Sequence, residues 1–328
     1  MTDLPGGDFS VADIEAAYVR IFPFIVRTPL LESEALNRLV GARVLVKAEN
    51  LQKTGSFKFR GACNRTLQIP VEQRPRGIVA FSSGNHALAI SAVCASFGMP
   101  ATIIMPADAP KAKIEGARAY GATVRLYDRR TDDREAIGRE SAERTGAVTV
   151  PPYDDRQVMA GQGTVGLEIV QQTQAISVKP DFVLAAASGG GLVAGVATAI
   201  NAYYPQAQLY AVEPKGFDDH ARSLAKGEQV ANAPGANSIC DSLQVVSPGK
   251  LTFPVNKRLL TGSLVVDDDE VRRAMRVAFE TLKLVVEPGG AVPLAAVLAG
   301  KIDVSGKTVA LVLSGGNVDP EVFQSALA

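Results

Sequence analysis

The sequence predicts an α/β fold with mostly parallel sheets, and three observations predict it. Short β-branched runs alternate with helical patterns along nearly the whole chain. The runs are apolar almost without interruption, as strands covered on both faces require. Twice in the first half, at Phe97-Gly98-Met99-Pro100 and at Tyr120-Gly121-Ala122-Thr123, a helical pattern ends in glycine and a strand pattern follows at once.

Residues 43–48, 78–81, 101–105, 123–127, 182–186, 209–212 and 308–313 read as buried strands. Between them 85–97, 111–120, 132–145, 160–172 and 192–203 read as helices, joined later by 267–282 and 291–299. The stretch 77–150 is expected to be a small four-strand domain. No Pro/Gly/Ser-rich linker divides the rest, so 1–76 and 151–328 are expected to form one larger, discontinuous domain.

The 328 residues are 47% hydrophobic and 21% charged, an ordinary globular balance with enough chain for a core and a cleft. Lys plus Arg and Asp plus Glu both number 34, so no basic excess points to nucleic acid or membrane. No apolar run reaches the roughly 18 residues of a membrane span, and Met1-Thr2-Asp3 does not open a signal peptide. Cys63, Cys94 and Cys240 are odd in number and far apart, which fits free thiols in a reducing compartment; a cytoplasmic protein is expected.

Glycine-rich turns carry the first chemical signal. Ser188-Gly189-Gly190-Gly191 follows the strand 182–186 and opens a helix near Leu192, where backbone N–H groups and the helix dipole suit a phosphate. Gly189, Gly191 and Gly195 also approach a dinucleotide fingerprint, with Glu213 placed as a ribose-binding acid would be. The loop alone leaves both readings open. Lys53-Thr54-Gly55-Ser56-Phe57-Lys58 offers a lysine beside an aromatic ring at a helix start, a setting that lowers an amine's pKa and suits a Schiff base. Ser82-Ser83-Gly84-Asn85-His86 is another strand-to-helix turn: its amides suit a carboxylate, Asn85 a phenolic oxygen, and Ser83 a proton relay. Leu313-Ser314-Gly315-Gly316-Asn317 ends the last strand in the same way.

Together these four motifs, in this order, resemble the fold-type II pyridoxal-phosphate enzymes of the tryptophan synthase β type. The resemblance is to their serine/threonine dehydratase (threonine ammonia-lyase) and serine racemase branch, and it runs from Arg27-Thr28-Pro29-Leu30 to Asn317-Val318-Asp319. It implies two open, twisted, mostly parallel sheets with pyridoxal 5'-phosphate in the cleft between two domains. By the same resemblance Lys58 carries the cofactor, and Ser188, Gly189, Gly190, Gly191 and Leu192 hold its phosphate. Asn85 meets the phenolic oxygen, and Ser314 the pyridine nitrogen. A neutral hydroxyl there favours β-elimination over a long-lived carbanion.

The implied activity is elimination of water from L-threonine or L-serine, after which the released enamine hydrolyses to 2-oxobutyrate or pyruvate and ammonia. Lys58 takes the α-proton, and Ser82, Ser83, Gly84, Asn85 and His86 hold the substrate carboxylate. Ser83 matches a second acid–base residue, so serine racemisation stays open. Arg134 matches a residue able to meet a distal carboxylate, which would make 3-hydroxyaspartate the substrate. Glu213, Asp219 and the carbonyl of Phe217 match a site for Mg2+, Ca2+ or Mn2+.

Departures qualify the match. Leu88 stands where ATP-binding racemases have glutamine, so ATP activation is not expected, and Tyr153 replaces an asparagine near the cofactor. The chain ends soon after Asp319, so no regulatory domain is expected; a homodimer is. An NAD(P)-dependent oxidoreductase would leave Lys58 and Ser314 without roles, and a non-catalytic binding protein would have no use for Lys58, Ser83, Asn85 and Ser314 together.

Overall fold

The computed structural model describes residues 9–82, 84–109, 111–128 and 131–328, and of residues 112, 134 and 135 the backbone only. Its strands are Leu30–Glu32 (β1), Arg43–Ala48 (β2), Ile78–Phe81 (β3), Ala101–Pro106 (β4), Thr123–Tyr127 (β5), Val148–Thr149 (β6), Phe182–Ala186 (β7), Gln208–Pro214 (β8), Gly262–Val266 (β9) and Thr308–Leu313 (β10). One sheet has the order β1-β2-β10-β7-β8-β9 and the other β5-β4-β3-β6. Every pairing is parallel except β1 with β2. The strands β2, β7 and β10 at the centre of the larger sheet are buried almost end to end, because helices cover both faces.

All seven expected strands are present; β6 supplies the fourth strand expected within 77–150, and β1 and β9 were not expected. β1 and β9 are the edges of the larger sheet and β6 is an edge of the smaller one. Edge strands face solvent on one side and lack the continuous apolar run that marks a central strand. The expected helix 160–172 is longer, Arg156–Ala175, because Asp155 caps it by accepting from the N–H groups of Gln157 and Val158. The expected helix 267–282 is α-helical only over Asp268–Val277. It then widens into a π-turn, Ala278–Leu282, and stops at Lys283 in the left-handed region (φ 60°). The expected helix 291–299 begins earlier, at Pro288, where proline suits a first turn.

Helix Arg156–Ala175 is the spine on which the site is mounted. A Cβ on Gly161 would come within 2.6 Å of the Cα of Gly61, and one on Gly195 within 2.6 Å of the Cα of Gly163. Helices Lys58–Leu67 and Gly191–Tyr203 therefore both press their backbones directly onto this spine, with no side chain between. A buried charge cluster locks the first of these contacts. Arg60 donates to both oxygens of Glu49 (2.7 and 2.8 Å) and both of Glu168 (2.8 and 2.9 Å), and Lys47 donates to Glu168 at 2.6 Å. All four side chains are fully buried, and two positive charges balance two negative.

Candidate active site

The chemistry-bearing turns all leave the carboxyl ends of parallel strands, where open α/β sheets place their ligands. The turn that carries Lys58 is pinned to the end of β10. Phe57 N–H donates to Ser314 O at 3.1 Å and Gly316 N–H to Gly55 O at 2.9 Å, while Asn317 Nδ2 donates to Thr54 O at 2.8 Å. Gly55 must be left-handed here (φ 73°), and a Cβ on it would run into Asn317. Lys58 opens its helix and turns its amine inward, where Nζ donates to Pro152 O at 2.8 Å and lies 5.2 Å from the Phe57 ring centre. Burial lowers its pKa from 10.5 to about 8, against the opposing pull of Glu287.

Asn85 begins the helix after β3. Its Nδ2 donates to Glu287 Oε1 at 2.6 Å, and its Oδ1 accepts from Asn317 Nδ2 at 2.8 Å. One N–H of that amide remains for a ligand. Glu287 precedes the helix Pro288–Leu298, is buried, and packs so tightly on Gly315 that a Cβ there would strike its carboxylate. Burial first, then the charge of Asp241, raises its pKa to about 8. Next to Asn85, His86 is buried with Nε2 on Val150 O (2.9 Å) and Nδ1 unpartnered. Burial and the charge of Lys58 lower its pKa to about 3, so the imidazole is neutral.

Behind β7, Gly190 is left-handed (φ 89°) and caps the helix Gly191–Tyr203. A Cβ on Gly189 would fall inside the Tyr153 ring, and one on Gly190 would lie 2.6 Å from both Asn256 Nδ2 and His220 Nε2. From below, Thr252 Oγ1 donates to Gly189 O and Asn256 Nδ2 to Gly190 O (3.3 Å). The helix N–H groups above stay free for an anion. Tyr153 directly follows Pro152, so the amine of Lys58, the tyrosine and the glycine loop form one continuous wall.

Residues 21–315 match the family model described as pyridoxal-phosphate dependent enzyme. The chain belongs to that family. The chain is 42% identical to L-threo-3-hydroxyaspartate ammonia-lyase of Pseudomonas sp, covering 97% of this chain and 98% of that one. It is also 41% identical to serine racemase of Arabidopsis thaliana (94% and 93%). Among solved structures, a threonine deaminase from T.th. superposes with a TM-score of 0.89 at 43% identity, over 94% of this chain and 99% of that one.

The residues present fit the cofactor of the pyridoxal-phosphate family. They offer a primary amine with a lowered pKa, a glycine loop with no room for a Cβ, and an amide with an uncommitted N–H. Of the residues expected at the site, Lys58, Asn85, His86, Gly189, Gly190, Gly191 and Ser314 join through the contacts above. Ser82 accepts from Gly84 N–H at 3.2 Å in the same turn, Ser188 and Leu192 flank the glycines, and Ser83 and the side chain of Arg134 lie outside the described residues. Glu287 was not anticipated, although a lone acid after Leu284-Val285-Val286 and before Pro288 is the kind of charge in an apolar run that signals a buried role.

Glu213 and Asp219 meet below the glycine loop, at 0% and 1% exposure, and His220 lies between them at 0%. Burial would lower the imidazole's pKa, but the carboxylates of Asp219 and Glu213 beside it outweigh that and raise it to about 9. Asp219 Oδ2 and His220 Nδ1 have no hydrogen-bond partner, and once Nδ1 gives up its proton both are available to a cation. No helix among the described residues is long and apolar enough to cross a membrane.

Proposed function

We propose that this pyridoxal-phosphate enzyme eliminates water from L-threonine or L-serine, and that the enamine released takes up water again as it hydrolyses, giving 2-oxobutyrate or pyruvate and ammonia. The observation that carries the reading is the amine of Lys58, lowered to about 8 and turned into the cleft beside a neutral His86. An amine near that pKa is an effective proton acceptor at neutral pH. When bound, pyridoxal phosphate supplies the sink for the electron pair left at Cα.

In this reading Lys58 Nζ takes the proton from Cα. The first-turn N–H groups of helix Asn85–Ser96, with Ser82, Ser83, Gly84 and His86, hold the α-carboxylate. Ser188, Gly189, Gly190, Gly191 and Leu192 hold the cofactor phosphate on the start of helix Gly191–Tyr203. Asn85 gives its second N–H to the phenolic oxygen, backed by Glu287, and Ser314 offers the ring nitrogen a neutral hydroxyl. Glu213, Asp219 and the carbonyl of Phe217 hold a divalent cation. The cleft lies between a domain of residues 1–76 and 151–328 and a domain of residues 77–150, and the working unit is a homodimer.

A second reading, elimination from 3-hydroxyaspartate, is favoured by the Pseudomonas relative, and it would place Arg134 on the distal carboxylate. Racemisation of serine, favoured by the Arabidopsis relative, would use Ser83 opposite Lys58. The test is 2-oxo acid release from L-threonine, L-serine and both L-3-hydroxyaspartate diastereomers, with Lys58→Ala as control. Release of 2-oxobutyrate or pyruvate, abolished in the control, is expected. Oxaloacetate alone overturns the threonine/serine reading in favour of hydroxyaspartate, and D-serine without any 2-oxo acid overturns elimination.

A further inference from the structure

The buried triad below the glycine loop holds one more donor than the resemblance supplies. His220 Nδ1 stands 3.5 Å from Glu213 Oε1 and 3.6 Å from Asp219 Oδ2, and the candidate donor atoms of all three residues lie within 4.8 Å of one another. We propose that His220 is a third side-chain ligand of this cation site, and that the site takes a divalent transition cation in preference to Mg2+ or Ca2+. This extends the cation assignment made under the proposed function and is independent of which amino acid the enzyme consumes.

The lone-pair bookkeeping leaves one candidate donor atom on each of the three residues, within 4.8 Å of one another. Glu213 Oε2 is saturated, accepting from Ala221 N–H (2.8 Å) and Ser263 Oγ (2.7 Å). Its Oε1 accepts once, from His220 N–H (2.7 Å), which leaves one lone pair on the oxygen nearest Nδ1. Asp219 Oδ1 accepts from Asn232 Nδ2 (2.6 Å), while Oδ2, the oxygen facing Nδ1, is unpartnered, as is Nδ1 itself. Separations of 3.5 and 3.6 Å match the edge of a tetrahedron with bonds of the length that zinc makes to N and O, roughly 3.4 Å.

The donor set decides the class. Calcium and magnesium take oxygen donors, and a buried imidazole in place of an oxygen weakens them. Imidazole beside carboxylate suits zinc, cobalt and their neighbours, with affinity rising along the first row. A metal-bound imidazole also needs an acceptor for its other N–H. Asn256 lies 3.2 Å from Nε2 and its Oδ1 is unpartnered; turned end for end, at the loss of its 3.3 Å bond to Gly190 O, that amide presents the oxygen required.

The experiment is equilibrium dialysis of chelator-stripped holoenzyme against Zn2+, Co2+, Mn2+, Mg2+ and Ca2+ separately, repeated with His220→Asn. We expect one equivalent of Zn2+ or Co2+ bound at least tenfold more tightly than Mg2+ or Ca2+, with that preference lost in the variant. Pulsed EPR of the wild-type protein loaded with Mn2+ is expected to show coupling to an imidazole nitrogen, a readout that does not require the variant to fold. Tighter binding of Mg2+ or Ca2+, an unchanged preference in His220→Asn, no nitrogen coupling, or no cation bound at all each overturns the proposal. Because the readouts are binding and spectroscopy, failure here leaves the ammonia-lyase reading standing, and failure of 2-oxo acid release leaves this one standing.

Discussion

Lys58 and Glu287 are two ionisable groups that burial pushes toward each other, one down and one up, both to about 8. Lys58 must be neutral to attack an aldehyde, so uptake of pyridoxal phosphate by the apoprotein should quicken as pH rises toward about 8 and then level off. Stopped-flow absorbance of reconstitution tests this; a rate still climbing steeply through pH 10 would show an ordinary amine. For Glu287 the folded pKa lies above the usual 4.5. Its contribution to stability is full below pH 4.5 and is lost as pH rises through about 8. Glu287→Gln, neutral at every pH, should therefore narrow the fall in Tm between pH 5 and pH 9, with a relative gain of about 3 °C at pH 8.5. Gly189→Ala drives a methyl into the Tyr153 ring and should weaken cofactor binding at least tenfold, measured by fluorescence titration of the apoprotein. At this scale the sequence displayed the residues that sit in glycine-rich turns, because such turns are written in local composition. It did not display Glu287, whose partner Asn85 is distant in the chain, or the donor role of His220, whose Nδ1 is brought beside Glu213 by the way the chain turns after β8.

The central strands were legible because burial on both faces leaves an unbroken apolar run, as in Thr308–Leu313. β9 was not, since four of its five residues are only partly buried. Nor was the short helix Thr252–Leu259, which carries Pro254 in its first turn and a mixed composition, yet supplies Thr252 and Asn256 to the floor of the glycine loop. The charge cluster Lys47–Glu49–Arg60–Glu168 was invisible for a related reason: its members come from a strand, a 3-10 turn and two helices. Removing one partner strands a charge without solvent, so Glu168→Leu should cost about 3–5 kcal/mol in urea unfolding. Replacement of a surface partner such as Glu34, paired only with the exposed Arg38, should cost less than about 0.5 kcal/mol.

Over the whole molecule, the three thiols of Cys63, Cys94 and Cys240 are buried and raised to about 12, chiefly by that burial. None should react with a thiol reagent such as DTNB in the native state at pH 8, and all three should react in guanidinium; a fast native equivalent would mean that one core opens readily. The α/β class with its mostly parallel strands was legible from the order of elements, because alternating strands and helices leave few other arrangements, whereas the division into two sheets came with the family resemblance. The pinning of the lysine turn to the end of β10 is different in kind, since Phe57 and Ser314 are neighbours only in space. That stitch has a consequence for biogenesis. A nascent chain emerging from the ribosome presents Lys58 early, but the wall that fixes its turn arrives only with residues 308–317, after most of the polypeptide has been made. Cofactor capture should therefore be a late event in synthesis, and stalled chains released short of β10 should emerge colourless.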